Sequence, residues 1–540
     1  MSPTDATNSR IQDIIDGMPP ELRVAQLLCP NTRQAPLEEV EALVRTWRPG
    51  SLFINSASGE RYRGIASVAA KASEVAPLIT ADLVNGAGSR IEGALVFPWQ
   101  MAMGAADSET LVETMGEATA HEGRAHGVHW TLAPVADLHL NPNSASIYAR
   151  SFGSQTEPVA RLVRAFVRGV QKDRLMAATA KHFPGDGYDD RDPHLSLPSN
   201  SLPRDDWVAS YGAVWRAAID EGVMAIMPGH IGLPFIDPGD KPFHAPPATF
   251  SRKVLVDFLR GELGFEGVLI SDAMEMCGVS SLVPQDKLAP TALAAGIDVI
   301  LFSRPEIDHP AILAALDRGE LTLDRIDEAL ARVLTIKQRL GLLDGAAAPE
   351  PSDEQRRRWR ECIEAASAHS MTVLRDDNDL LPLKLAPGGE VLTVTIVQEH
   401  VQLRGMVKRL DAVDDALRAR GHDVTHLDNP TSDELVETDL SRYEAIFVNL
   451  HFPPNYGTSR LGWKGFLTLV RSFWVRHPRV VFTSWCDPYK VYELNHVPVM
   501  VNAYSNNVEA QEAVVKVWLG EAEPLGKNPV GLKGYFEPGV

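Results

Sequence analysis

The sequence predicts an α/β protein in which a (β/α)8 TIM-type barrel is followed by a smaller C-terminal α/β sandwich domain. Short β-branched runs alternate with amphipathic helical patterns between residues 50 and 305, and the same alternation resumes after residue 390. Strands that are apolar nearly throughout are typical of parallel sheets buried on both faces. We expect the barrel in residues 1–345, a linker or connecting helix in 346–365, and the second domain in 366–540.

The first half contains at least seven β/α units, which favours a barrel over a doubly wound sheet. Helical patterns cover segments such as 107–127, 157–171 and 321–341. The candidate strands are residues 51–55, 77–82, 130–138, 175–182, 223–228, 268–273 and 298–302.

The second half predicts a mostly parallel sheet and carries no nucleotide-binding motif, because neither G-x-G-x-x-G nor a P-loop pattern occurs in it. Its candidate strands are residues 390–397, 422–427, 444–450, 479–485 and 498–502.

Composition limits the classes of partner. The chain has 540 residues, of which 44% are hydrophobic, and its net charge is −19. Such a surface repels phosphate backbones and anionic lipids, so we expect neither nucleic-acid nor membrane binding. Four scattered cysteines indicate neither a zinc knuckle nor a disulfide scaffold. The opening residues resemble no secretory signal and no apolar run is long enough to span a bilayer, so we expect a cytoplasmic protein.

Chemically reactive side chains recur at or just past the ends of the predicted strands. Active sites of (β/α)8 barrels collect at this edge because the loops that follow the strands line it. A polar residue after a strand can simply mark the end of that strand, but here six occur in step. They are Asp82, Asp137, Lys181, His182, His230 and Asp272.

The segment KHFPGDGYDDRDPHLSLP, residues 181–198, is the most informative stretch. The residue before a proline adopts extended angles, and in an extended chain residues two apart point the same way. Asp192 can therefore reach His194, fix its tautomer and favour its protonated form, which makes His194 a candidate general acid/base. The spacing alone also fits a solvated acidic loop, and its four aspartates leave a Ca²⁺ site open.

The segment FEGVLISDAMEM, residues 265–276, places Asp272 at the end of a buried strand. A carboxylate opposite a general acid is what retaining glycoside hydrolysis requires. In isolation, Asp272 fits a metal ligand or a strand-capping acid equally well.

Taken together, KHFPGDG…DPH, FEGVLISDAMEM, PATFS (247–251) and AGIDVIL (295–301) resemble glycoside hydrolase family 3, over roughly residues 20–345. They are most similar to its β-N-acetylhexosaminidase branch, whose signature is K-H-[FI]-P-G-x-G-x4-D-[ST]-H. The resemblance implies that His194 is the acid/base, Asp192 its partner and Asp272 the nucleophile. Pro193 departs from this signature, which has serine or threonine there, and Asp186 stands where the family usually has histidine.

The resemblance also implies a sugar-binding set. The family's D-x-E-G-G-x-x-x-R is DLVNGAGSR here, which lacks the glutamate, and E-R-[SC]-F is ARSF. Charged donors and acceptors of this kind hold vicinal sugar hydroxyls. The predicted substrate-binding residues are Asp82, Arg90, Arg150, Lys181, His182, Met227 and His230, although ion pairing with a neighbouring acid is the alternative for Arg90 and Arg150.

The implied function is that of a retaining β-glycosidase, most simply a β-N-acetylglucosaminidase acting on a small carbohydrate in amino-sugar or peptidoglycan recycling. No metal or cofactor is expected, because two side chains supply the nucleophile and the proton. A glycoside phosphorylase, a retaining enzyme for another sugar such as a β-glucosidase, and a non-catalytic sugar-binding protein remain alternatives. A homodimer and the role of the second domain stay open.

Overall fold

The structure of the protein is a computed structural model that describes residues 3–144, 146–240, 245–345, 349–377, 379–397, 410–452, 477–494 and 497–532. In these residues, helices alternate with mostly parallel strands along most of the chain. The predicted α/β class is therefore confirmed.

The strands of the N-terminal half are short, and each of the seven predicted strand segments overlaps one of them. They are β1 (Leu28–Cys29), β2 (Ser51–Phe53), β3 (Ala57–Ser58), β4 (Leu78–Ala81), β5 (Ile91–Glu92), β6 (Trp130–Thr131), β7 (Thr179–Phe183), β8 (Ala225–Pro228), β9 (Val268–Leu269) and β10 (Ile300–Leu301). The strands β1, β3 and β5 were not predicted from the sequence.

The main strands of this half are hydrogen-bonded in succession. Parallel pairs join β1 to β10, β2 to β4, β4 to β6, β7 to β8 and β8 to β9. Single parallel bridges add the missing neighbours, linking Asn31 to Phe53, Trp130 to Ala177 and Ile270 to Val299. Because all these pairs are parallel, the carboxyl ends of the strands lie on one side.

The predicted strand 130–138 is wrong in length, since it continues past β6 only as a single bridge between Val135 and Lys181. Pro134 has no N–H to donate to a neighbouring strand. The Gln100 side chain also occupies both backbone groups of Val135, donating from Nε2 to its carbonyl at 3.2 Å and accepting from its N–H at 3.0 Å. The chain consequently leaves the sheet here, and a long loop begins at Asp137.

Helices cover the predicted helical patterns and pack around the strands. In the first half they are Pro3–Asp16, Pro20–Ala25, Leu37–Trp47, Gly59–Lys71, Gln100–Ala106, Glu109–Ala125, Thr156–Gln171, Arg204–Ala209, Tyr211–Asp220, Cys277–Ser280, Gln285–Ala295, Pro305–Asp317 and Leu323–Arg339, together with the π-helical segment Lys253–Glu262. Along the described part of the chain, every helix is too short or too polar to cross a membrane.

A helix from Asp353 to Ser370 connects the two halves. It begins at a capping box, in which Ser352 accepts from the Gln355 backbone and the Gln355 side chain accepts from the Ser352 backbone. The segment predicted as a linker or connecting helix, residues 346–365, is thus helical from residue 353, and the helix extends five residues beyond the expected boundary.

The C-terminal half contains a six-stranded sheet with the order β11–β16–β15–β14–β12–β13, in which only β11 is antiparallel. Its strands are β11 (Thr372–Asp376), β12 (Glu390–Val397), β13 (Asp423–Asp428), β14 (Ala445–His451), β15 (Val480–Ser484) and β16 (Val499–Asn502). The predicted mostly parallel sheet is confirmed. The described helices of this half are Asp411–Ala419, Ser432–Glu437, Lys490–Glu493 and Val508–Trp518.

One face of this sheet packs against the N-terminal half. Apolar side chains of its strands, such as Leu392 and Ile446, form one core with Met101, Ala102 and Ala149. Ala149 belongs to the long loop that begins at Asp137, so the second half of the chain lies directly against that loop. The opposite face has a core of its own.

Candidate active site

A pocket lies beyond the carboxyl ends of the N-terminal strands and combines residues from separate loops. His182 belongs to β7, while His230 and Asp272 follow β8 and β9 within a few residues. The pocket is lined by Ser146, Arg150, His182, Asp186, Pro193, His194, Gly229, His230, Ile231, Asp272 and Met276. Strand ends therefore bring together the predicted nucleophile and the predicted acid/base from positions 78 residues apart in the sequence.

The Asp192 and His194 side chains form the pair that their spacing predicts. Asp192 Oδ1 lies 2.6 Å from Nδ1 of His194 and accepts a 2.9 Å hydrogen bond from its backbone N–H. The Asp192 side chain is buried, whereas that of His194 is 40% exposed. Partial burial alone would lower the pKa of His194, but the hydrogen bond and charge of Asp192, with the charge of Asp272, raise it. The ring is therefore held in one orientation with its protonated form favoured.

Asp272 faces the pocket as an ionised carboxylate. Burial alone would raise its pKa, but electrostatic interactions with His182 and His230 and a hydrogen bond from a backbone N–H outweigh burial and lower it. That bond runs from the Ala273 N–H to Oδ1 at 2.7 Å. An ionised carboxylate with limited solvation is suited to nucleophilic attack.

His182 is held by a carboxylate whose role the sequence did not reveal. Asp137 is fully buried, and its Oδ2 lies 2.8 Å from Nδ1 of His182. Asp137 also accepts from the backbone N–H of His182 at 3.2 Å and from that of Asp186 at 2.7 Å. Its position near a strand end was the available signal, but its partner lies 45 residues away and only the tertiary structure identifies it.

Three of the predicted sugar-binding residues form an ion cluster beside the pocket. Lys181 Nζ lies 2.5 Å from Asp82, and Arg90 lies 3.0 Å from the other oxygen of the same carboxylate. Burial would raise the pKa of Asp82, but the charges of Lys181, Arg90 and Arg150 lower it. Arg90 thus forms an ion pair with Asp82, and Arg150 donates to the backbone carbonyl of Ser146 at 2.9 Å.

Two other predicted residues, His230 and Met227, are buried and contact mainly other residues of the protein. Both ring nitrogens of His230 have partners, Thr249 Oγ1 at 2.8 Å and the Ala273 carbonyl at 3.0 Å. His230 thus fixes the backbone next to Asp272. Met227 is buried in β8 beside Lys181 and does not line the pocket, whereas Met276, from the stretch that contains Asp272, does.

The aspartates of the 186–192 loop have separate partners. Asp186 is buried and accepts from the Ser146 hydroxyl at 2.5 Å and from the Gly187 N–H at 2.7 Å. Burial and the neighbouring charge of Asp137 raise the pKa of Asp186 to about 6. Asp189 pairs instead with Arg191. Among the described residues, no group of three or more His, Cys, Asp or Glu side chains is arranged to hold a metal ion.

An ionised carboxylate and a histidine paired with aspartate that line one pocket fit the requirement of glycoside hydrolysis for a nucleophile and a general acid. The model of the Glycosyl hydrolase family 3 N terminal domain matches residues 21–336. The chain belongs to glycosyl hydrolase family 3, which confirms the resemblance drawn from its motifs and the prediction of a glycosidase.

Characterised relatives and solved structures resemble most of the chain. The beta-N-acetylglucosaminidase/beta-glucosidase of Cellulomonas fimi is 30% identical over 532 residues, which cover 94% of this chain and 93% of that protein. The structure of a family 3 beta-N-acetylglucosaminidase from Paenibacillus sp. str. FPU-7 matches with a TM-score of 0.84 and 28% identity, over 96% of this chain and 99% of that one. A beta-glucoside phosphorylase structure, bound to 2FGlc, matches with a TM-score of 0.88 and 26% identity, over 97% and 96% of the two chains.

Proposed function

We propose that the protein is a retaining β-glycosidase that releases terminal β-linked N-acetylglucosamine. The observation that carries the proposal is the pocket itself, which the Asp272 carboxylate and the Asp192-paired His194 both line. The names of the relatives from Cellulomonas fimi and Paenibacillus support the choice of sugar.

In the first step, a carboxylate oxygen of Asp272 attacks the anomeric carbon while the bond to the leaving oxygen breaks. His194 gives that oxygen a proton from Nε2, because its Nδ1 faces Asp192. In the second step, neutral His194 takes a proton from water, the water oxygen bonds to the anomeric carbon, and the ester to Asp272 breaks. Both side chains return to their starting states.

We assign sugar recognition to the polar and charged side chains around Asp272 and His194. Arg150 and His182 line the pocket and are held by the Ser146 carbonyl and by Asp137. Buried polar groups of this kind form strong hydrogen bonds to hydroxyls because little water competes with them. Asp82, Arg90 and Lys181 form an ion cluster beside these residues, and His230 lines the pocket with them, whereas Met227 lies outside the lining.

The finer architecture belongs to the same proposal. The succession of parallel pairs from β1 to β10 supports a (β/α)8 barrel in residues 1–345, because β10 also pairs with β1. The connecting helix and the separate six-stranded sheet support a second α/β domain after it, in residues 366–540.

The test is a panel of 4-nitrophenyl β-glycosides that includes the N-acetylglucosaminide and the glucoside. We expect the N-acetylglucosaminide to give the highest kcat/KM and Asp272→Asn to lose at least about 10³-fold in kcat. Asp190→Asn, which removes an exposed carboxylate from the neighbouring loop, is the matched control and should retain activity. A 2-fluoro or 5-fluoro glycoside should label Asp272, and a label on another carboxylate contradicts the assignment.

A glycoside phosphorylase is the second candidate, favoured by the identity of the acid/base. The neutral imidazole of His194 would not repel phosphate as it attacks the glycosyl-enzyme, whereas a carboxylate base would. The structural match to a beta-glucoside phosphorylase over 97% of this chain is consistent with this reaction. Phosphate added to the glycoside panel distinguishes the two, because a phosphorylase forms a sugar 1-phosphate and a hydrolase releases the free sugar.

A further inference from the structure

One loop that supplies side chains to the active-site pocket also packs against the C-terminal half of the chain. This loop, residues 137–144 and 146–154, is called the Asp137 loop here. It carries Asp137, which holds His182, and it supplies Ser146 and Arg150 to the pocket. Its ends meet where His139 N–H donates to the Gly153 carbonyl at 2.9 Å and the Ser151 hydroxyl donates to the Asp137 carbonyl at 2.6 Å.

The C-terminal half contacts this loop by backbone and by apolar packing. Ser154 N–H donates to the Pro529 carbonyl at 3.0 Å, and Gly531 N–H donates to the Ser154 hydroxyl at 3.0 Å. The approach at Gly153 is so close that a Cβ there would lie 2.4 Å from the Pro529 carbonyl oxygen. The Asp137 loop therefore packs directly against the C-terminal half of the chain.

A polar contact between side chains of the two halves reaches the centre of the loop. The Tyr489 hydroxyl lies 2.7 Å from Nδ1 of His139, and the two rings are 4.9 Å apart. Both side chains are buried, with exposed fractions of 4% and 1%. The His139 ring also lies 6.4 Å from the ring of Tyr148, two residues before Arg150. His139 thus contacts both Tyr148 of the same loop and Tyr489 of the C-terminal half, and the Tyr489 hydroxyl fixes its orientation.

The surroundings keep this hydrogen bond neutral. Burial lowers the pKa of His139 to about 4 and raises the pKa of Tyr489 well above its usual range. Tyr489 is itself positioned by the buried carboxylate of Asp487, which accepts from its backbone N–H at 3.0 Å. A neutral, buried hydrogen bond favours one geometry because neither partner can turn to water instead.

We propose that Tyr489 is a positioning residue for the active site, which acts from the C-terminal half through His139 and the Asp137 loop on His182 and Arg150. The proposal rests on the proposed function, in that these two residues bind the sugar. It gives the second half of the chain a role in catalysis although that half contributes no described residue to the lining of the pocket.

The test compares Tyr489→Phe with Tyr504→Phe. Both variants remove one hydroxyl from a buried ring, but Tyr504 donates to Thr372 Oγ1 at 3.1 Å, within the C-terminal half. We expect hydrogen exchange in the Asp137 loop to speed up in Tyr489→Phe and to stay at the wild-type rate in Tyr504→Phe. We also expect kcat/KM to fall about tenfold in Tyr489→Phe and to stay within about twofold in the control, well below the Tm of each protein.

A double-mutant cycle separates positioning from general destabilisation. If Tyr489 acts through the Asp137 loop, Tyr489→Phe combined with Asp137→Asn should lose less in kcat/KM than the product of the two single losses. The proposal would be overturned if the two losses in kcat/KM simply multiply in the double mutant. It would also be overturned if hydrogen exchange in the Asp137 loop of Tyr489→Phe stays at the wild-type rate. A wild-type protein that turns over no glycoside contradicts the proposed function instead, and the exchange measurement still decides whether Tyr489 holds the loop.

Discussion

The replacement Asp137→Asn tests the arrangement behind the pocket, because it preserves the shape of the side chain and removes its negative charge. In the structure this fully buried carboxylate lies 2.8 Å from Nδ1 of His182 and 2.7 Å from the donating backbone nitrogen of Asp186. An asparagine amide can accept from only one side. One of these donors then faces an NH₂ group, and His182 loses the charge that favours its orientation.

The magnitude follows from the kind of bond that is lost. A hydrogen bond to a charged group contributes about 1.5–3 kcal/mol, and each 1.4 kcal/mol corresponds to about tenfold in rate. We therefore expect kcat/KM of Asp137→Asn to fall about 10- to 150-fold. The loss acts on transition-state binding because the bond orients His182, which we propose binds the sugar.

The assay is kcat/KM for the best 4-nitrophenyl glycoside, with circular dichroism and Tm measured on the same samples. Asp173→Asn is the control, since Asp173 lies 2.8 Å from His121 in a more exposed Asp–His pair outside the pocket, and kcat/KM of this variant should stay within about twofold of wild type. A folded Asp137→Asn variant with kcat/KM within about threefold of wild type would refute the role given to this carboxylate.

Three further predictions concern the acid/base pair and the core. His194→Ala should lose about 10²–10⁴-fold on glycosides with poor leaving groups but far less on activated aryl glycosides, and azide should restore turnover; equal losses without rescue would move the proton donor elsewhere, first to Asp186. Asp192→Asn should move the basic limb of kcat/KM to lower pH, because the hydrogen bond and charge of Asp192 raise the pKa of His194 against the effect of burial; an unmoved limb contradicts the pairing. Burial lowers the pKa of Lys337 to about 7 in the folded protein, whereas it is about 10 in the unfolded chain. Between these two pH values Lys337 binds more protons in the unfolded chain than in the folded one, so its contribution to the free energy of unfolding rises with pH. Lys337→Met should therefore raise the free energy of unfolding more at pH 6.5 than at pH 9, and denaturant titrations that show equal gains would refute this.

The sequence determined features that depend on near neighbours along the chain. Apolar runs alternating with amphipathic patterns predicted the strands and helices, because burial on both faces demands apolar side chains at every position of a strand. The Asp192–His194 pair could also be predicted, because the residue before Pro193 is restricted to extended angles and its side chain then faces that of residue 194. The motifs around Asp272 and His194 identified the family for the same reason, since each is contiguous.

Features that join distant segments were decided only by the tertiary structure. Asp137 and His182 are 45 residues apart, and His139 and Tyr489 are 350 apart, so no local pattern marks them as partners. Arg90 and Lys181 share the carboxylate of Asp82 because separate strand ends converge, and a sequence motif cannot tell whether such a group meets a sugar or another side chain. The physical reason is the same in each case. A local pattern fixes backbone angles and the burial of a face, whereas the partner of a buried charge is fixed by which loops meet after the strands have paired.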